Sequence, residues 1–191
     1  MRKLIAGFKV SIDGKIEGSE GYADWVAAWS EDYGLTGQID ACIVGGGMYP
    51  GYEGYWTAIQ TAGDQPLPMT GKFPTRDEVK WGEFAARTPH YVLSTTLGQA
   101  QWPKTSFLRS LDEVAALKRK QGKDIYVMGG GRIAAALIDV GLIDEIRLIV
   151  NPLIAGPGKA LFATTALRRK LELKKVQQLS DGLVSLVYAV G

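Results

Sequence analysis

The stretch DIYVMGGGRIAAALIDVGLIDEIRLIV, Asp124–Val150, decides the fold. Asp124–Met128 is a short apolar run that enters Gly129-Gly130-Gly131, the pattern of a buried strand leading into a tight turn. Ile133–Val140 follows as a helix and stops at Gly141. Glu145–Val150 is a second strand, ended by Pro152. Strand, helix and strand in this order predict two parallel strands joined by a crossover helix.

The same alternation continues toward the N-terminus. Lys3–Ile12 reads as a strand with Leu4, Ile5, Phe8 and Val10 apolar, broken by Asp13-Gly14. Trp25, Ala28 and Trp29 lie at helical spacing and predict a helix over Tyr22–Tyr33. Asp40–Val44 is a short buried strand that ends in Gly45-Gly46-Gly47, and Tyr49–Ala62 is an aromatic, partly helical segment. Gly63–Phe84 holds Pro66, Pro68, Gly71 and Pro74 and reads as a surface excursion with a short helix near Thr75–Phe84. Tyr91–Ser94 and Thr105–Leu108 are strands, and Ser110 with Glu113 forms a capping box that opens a helix running to about Gln121. Two alternating strands, Lys170–Leu179 and Leu183–Val190, meet at Ser180-Asp181-Gly182 and predict an antiparallel hairpin. With no repeat and no separating linker, the chain reads as a single domain over 1–191: an open α/β sheet, mostly parallel, with helices on both faces.

Composition narrows the function. Lys plus Arg is 22 and Asp plus Glu is 20, a formal net charge of +2, which is no nucleic-acid footprint. The basic group Arg168, Arg169, Lys170, Lys174 and Lys175 alternates with Leu171, Leu173 and Val176 and reads as a solvated strand face. No apolar run reaches a membrane span, and the N-terminus lacks a signal-peptide core, so a cytoplasmic protein is expected. Cys42 is the only cysteine and sits in an apolar strand; a thiolate metal cluster and an internal disulfide are excluded. His90 is the only histidine, with no HxxxH or GxSxG pattern around it, and no metal site is expected.

Chemistry in an open α/β sheet gathers beyond the carboxyl ends of its strands. Two glycine clusters stand there: Gly45-Gly46-Gly47 and Gly129-Gly130-Gly131. Glycine lets backbone amides approach a phosphate, and a helix beginning just afterwards adds its positive end. The plainer reading is that both only shape tight turns. Gly129–Ala134 also satisfies GxGxxA, but the acids Asp144 and Glu145 stand at the start of their strand instead of at its end, which argues against a flavin- or NAD-dependent Rossmann enzyme.

Four ordered stretches carry a family resemblance. They are Ser11-Ile12-Asp13-Gly14-Lys15-Ile16, Met128-Gly129-Gly130-Gly131, Gly141-Leu142-Ile143-Asp144-Glu145-Ile146, and Asn151-Pro152-Leu153-Ile154-Ala155-Gly156-Pro157-Gly158 with Leu161-Phe162. Together they resemble the reductase domain at the C-terminus of the bifunctional riboflavin-biosynthesis deaminase-reductase, of dihydrofolate-reductase-like fold. That resemblance implies a three-layer sandwich with a mostly parallel central sheet, helices on both faces and a C-terminal antiparallel hairpin. It implies an NADPH-dependent oxidoreductase acting on a small heterocyclic, pteridine- or pyrimidine-like, or sugar-linked substrate. Gly129, Gly130, Gly131 and Arg132, with Ile133 and Ala134, would hold the dinucleotide phosphates. Gly45 and Gly46 would line the cofactor, and Ser94 and Thr95 would face the adenosine 2′-phosphate. A homodimer is the implied assembly. No deaminase zinc signature is present.

One departure stands out. The family pattern G-R-x-T-[YF] is Gly45-Gly46-Gly47-Met48-Tyr49 here, so Gly46 replaces the arginine that pairs with the 2′-phosphate. NADH use is thereby left open, with Arg132 or Arg76 as compensating cations. Asp32 is the candidate proton donor and Asp13 the runner-up, which equally serves the Asp-Gly turn. Lys9, which shares strand parity with Gly7 and Ser11, and Trp25 are candidate substrate contacts; their plain readings are a snorkelling stem and a core ring. The rival function is a non-catalytic nucleotide- or small-ligand-binding protein of the same fold.

Overall fold

Residue parity along β1 (Leu4–Ser11) divides the core in two. Leu4, Ala6, Phe8 and Val10 belong to one buried cluster, and Ile5 belongs to the other, because successive side chains of a strand point to opposite faces. The computed structural model describes residues 1–26, 29, 33–68 and 70–191. Among them, β3 (Ile39–Gly45) and β6 (Asp124–Met128) repeat the division: Ala41, Ile43, Ile125 and Val127 face one way, Cys42, Val44, Tyr126 and Met128 the other.

The strands β4 (His90–Leu93), β5 (Thr105–Leu108), β7 (Glu145–Asn151), β9 (Leu171–Gln178) and β10 (Val184–Val190) complete an eight-stranded sheet of order β5-β4-β3-β6-β1-β7-β10-β9. Pairing is parallel from β5 to β7 and antiparallel at β7–β10 and β10–β9. The mostly parallel sheet with a closing hairpin is therefore present. A smaller antiparallel sheet of β2 (Lys15–Gly18) and β8 (Gly158–Ala160) was not legible in the sequence.

Helices α1 (Tyr49–Thr61) and α2 (Arg76–Arg87) cover the Ile5 face. Helices α3 (Leu111–Arg119) and α4 (Gly131–Asp139) cover the Leu4 face. The Gly63–Phe84 excursion is more ordered than its prolines suggest. Thr75 and Glu78 make a full capping box, Trp81 and Ala85 are buried, and Gly82 lets α2 approach Ile59 of α1. On α3 the box is divided: Ser110 accepts from the Glu113 amide, while the Glu113 carboxylate takes the Arg109 amide.

The helix expected over Tyr22–Tyr33 is not seen in its described part. Residues 21–26 make bends and turns, with Gly21 at φ 82° and the Val26 amide bonded to Ala23. The Trp29 amide donates to Glu78 on α2 instead of to a carbonyl one turn back. Residues 27, 28 and 30–32 lie outside the described residues.

His90 and Cys42 are core groups. His90 shares its ring nitrogens between the Tyr52 hydroxyl (3.0 Å) and the Thr88 carbonyl (2.8 Å), and burial pushes it down to about 4. Burial raises the Cys42 thiol, which is therefore unreactive. Asp144 pins the start of β1, accepting from the Leu4 amide and Lys118, which explains an acid placed before its strand. Among the described residues no helix is long and apolar enough to cross a membrane, and no cluster of metal-ligating side chains occurs.

Candidate active site

Strands β3 and β6 are neighbours, with Val44 opposite Met128. The helix after β3 lies on one face of the sheet and the helix after β6 lies on the other. Such a divergence opens a crevice beyond the carboxyl ends of the two strands. Both glycine clusters stand on it, and a Cβ at Gly129 would come within 3.7 Å of the Gly45 nitrogen.

The glycines have different reasons to be there. A Cβ on Gly129 would meet Ile133 Cγ2 at 2.3 Å, and one on Gly131 would meet the Leu161 carbonyl oxygen at 2.4 Å. These two are required by packing. Gly130 has open space around it and serves as the N-cap of α4 with no side chain capping the helix and no acid in its first turn. The first amides of α4 thus have no acceptor within the helix, and its positive end meets the crevice. Arg132 is exposed on that turn. The side chains of Ile133 and Ala134 belong to the core, so these residues can meet a phosphate only through backbone amides, and the Ala134 amide lies 3.5 Å from the Gly130 carbonyl.

A cavity of about 360 Å³ continues the crevice along β4, lined by Gly46, Gly47, Ser94, Thr95, Arg109 and Ser110, with Leu93 and Leu111. Gly46 is close enough to Ser94 that a Cβ would lie 2.4 Å from the serine Cβ, so this backbone excludes the family's arginine at that position. Ser94 Oγ accepts from the Thr96 and Leu97 amides, which leaves its own hydrogen to donate. The cation on this wall is Arg109, which sequence reasoning missed; Arg132 and Arg76 do not line the cavity. Arg109 bonds the Ser94 and Leu97 carbonyls at 2.5 and 2.7 Å and lies over the Phe107 ring. The signal available was its place at the end of a strand, one residue before the Ser110 cap.

Farther along the same edge, the Asp13-Gly14 turn and the 151–162 segment fold together. Asp13 accepts from Ser11 Oγ (2.7 Å) and from the Ala155 and Gly156 amides (2.9 and 3.0 Å). These donors, the Ser11 hydroxyl first, hold its carboxyl at about 2. Asp13 is thus an ionised clamp at neutral pH, a poor source of protons. A second cavity of about 280 Å³ lies between this segment and residues 18–25, and Trp25 lines it. Lys9 is half-buried on the Gly7 face of β1 and is engaged in an interaction of its own. Asp32 lies outside the described residues; Tyr33, next to it, sits over Gly7 and has its carbonyl held by Arg147 at 2.5 Å.

The glycine cradle, the uncapped helix start and the Arg109–Ser94 wall fit a phosphorylated dinucleotide. Comparison with known proteins agrees with the fold. The model of the RibD C-terminal domain family matches residues 2–185. The chain is 31% identical over 192 residues to the uncharacterized protein YyaP of Bacillus subtilis (strain 168), covering 98% of this chain and 94% of that one. It superposes with a TM-score of 0.64 on a diaminohydroxyphosphoribosylaminopyrimidine deaminase/5-amino-6-(5-phosphoribosylamino)uracil reductase of Thermotoga maritima, at 15% identity over all of this chain and 57% of that one. A dihydrofolate reductase of Enterococcus faecalis complexed with NADP(H) gives a TM-score of 0.64 at 15% identity, covering 99% and 96% of the two chains.

Proposed function

Since the chain belongs to the RibD C-terminal domain family, we propose that it is an NADPH-dependent reductase of a small heterocyclic or sugar-linked substrate. The observation that carries this reading is the meeting of two glycine strand ends at the β3–β6 divergence, beside a cavity walled by Arg109. When bound, NADPH supplies the hydride. Gly129, Gly130 and Gly131, with the first amides of α4, hold the pyrophosphate, and Arg132 adds positive charge there. Arg109, with the Ser94 and Thr95 hydroxyls, takes the 2′-phosphate in place of the arginine that Gly46 excludes. Trp25 and Lys9 lie on the substrate side, and Asp32 is the proton source in this reading. Asp13 shapes the site by tying the 151–158 loop to the end of β1.

Tryptophan-fluorescence titration with NADPH and with NADH tests the proposal. Saturable binding with a preference for NADPH is expected. Arg109→Ala should weaken NADPH about tenfold or more, the value of one charge-assisted hydrogen bond, while leaving NADH unchanged. Equal binding of both cofactors in the wild type would remove the 2′-phosphate assignment, and binding of neither would refute the reductase. Gly46 in place of arginine favours a second reading, a nucleotide-binding protein without turnover; NADPH binding with no oxidation across a panel of heterocyclic carbonyls and imines would support it.

A further inference from the structure

The cavity beside Trp25 differs in kind from the cavity beside Arg109. It lies at the carboxyl ends of β1 and β7, where the Ile12 amide bonds the Leu153 carbonyl. Tyr22, Trp25, Leu153 and Pro157 give it flat apolar walls, and Glu20 and Asp24 give it two carboxylates. Among the described residues that line it there is no lysine or arginine, and no salt bridge neutralises Glu20 or Asp24. The Trp25 indole N–H is buried without a hydrogen-bond partner among the described residues, which is costly unless something accepts from it.

The surrounding sequence has the same sign. Between Lys15 and Lys72 the chain contains Glu17, Glu20, Asp24, Glu31, Asp32, Asp40, Glu53 and Asp64 and no basic residue at all. Some of these are answered elsewhere: Glu17 by Lys159, Asp40 by Arg2, Glu53 by the Gln101 and Trp102 amides. Glu20 and Asp24 are the ones at the cavity. A phosphate monoester is recognised by arginine, lysine or a helix N-terminus. Carboxylates repel it and attract N–H and O–H donors or a cation. The Thermotoga maritima protein acts, by its name, on a 5-phosphoribosyl compound; this cavity has the opposite polarity.

We propose that the substrate cavity takes a flat heterocycle without a phosphate group. Its exocyclic amino or hydroxyl donors meet Glu20 and Asp24, and an acceptor on it answers the Trp25 N–H. This rests on the reductase reading only in taking the cavity as the substrate side.

Isothermal titration of the full chain with 5-amino-6-ribosylaminouracil and with its 5′-phosphate, each with and without NADPH, tests it. The unphosphorylated compound should bind about tenfold or more tightly. The Glu20→Gln/Asp24→Asn double variant should close that gap by strengthening the phosphate form. Its NADPH affinity should stay that of the wild type, because the cofactor wall is elsewhere. Equal or tighter binding of the phosphate form by the wild type would overturn the proposal, as would a gap that survives in the double variant, or binding of neither compound. Failure to bind NADPH alongside binding of the unphosphorylated compound would instead sink the reductase and leave the cavity's preference standing.

Discussion

Lowering the pH from 7 to 5 should destabilise the protein through one group, His90. Its imidazole is 1% exposed and is pushed from its usual 6.5 down to about 4, first by desolvation, with the Thr88 carbonyl and Glu53 opposing. In the unfolded chain it regains its ordinary value. Between these limits the unfolded state binds a proton that the folded state refuses, so stability rises with pH and is lost as pH falls through 6.5 toward 4. Linkage over a shift of this size gives a loss of about 2 kcal/mol between pH 7 and pH 5, or a drop in Tm of roughly 4–8 °C for a domain of this length. Glu78 and Asp13 are also held low, but as carboxylates; their contributions are lost only at more acid pH, below their usual range. The assay is urea denaturation at pH 7 and pH 5 for the wild type and for His90→Gln. The variant is expected to be less stable at both values, since Tyr52 and Thr88 lose their ring partner. The pH-dependent loss itself should nearly vanish. A wild type equally stable at the two pH values, or a variant that keeps the full dependence, would refute the reasoning.

Gly131→Ala should cost about 1–3 kcal/mol in denaturant titration, because its Cβ meets the Leu161 oxygen at 2.4 Å; Gly130→Ala, with open space, should cost about 1 kcal/mol or less. Asp13→Asn should speed proteolysis near Ala155–Gly158 by weakening the clamp. In the wild type that clamp persists until pH approaches about 2, since a carboxylate held low contributes above its folded value and is lost as pH falls through it. We also propose a homodimer through the hairpin face, where Leu173 (52% exposed) pairs with Tyr188 and Val176 (60% exposed) with Leu186. Light scattering should report two chains for the wild type and one for Leu173→Glu/Val176→Glu; a monomeric wild type would end this proposal.

The order of elements was written in the sequence wherever local signals were strong. Asp124–Val150 announced strand, glycine turn, helix and strand, and Asp181-Gly182 announced the hairpin. Those signals come from periodicity and turn chemistry, which act between residues close in the chain. The segment after Gly63 looks like a surface excursion in sequence, apart from its short helix, because Leu67, Trp81 and Phe84 become core residues only against α1 and β6. The helix expected around Trp25 and Trp29 followed from spacing alone, and spacing does not reveal that the Trp29 amide goes to Glu78.

Local signals in the chain are enough to predict a mostly parallel α/β sheet and two glycine clusters at its strand ends, and the family resemblance sets Gly46 where an arginine is expected. That the two clusters are neighbours is a property of the packed sheet. Strand order depends on pairings between residues some eighty positions apart, such as Val44 with Met128, which no local pattern encodes. The fold likewise gave Arg109 its place beside Ser94, made Asp13 a clamp, and packed the Ile133 and Ala134 side chains into the core. Each of those roles depends on which distant groups reach hydrogen-bond or van der Waals distance, and that is fixed only when the sheet closes and the helices pack.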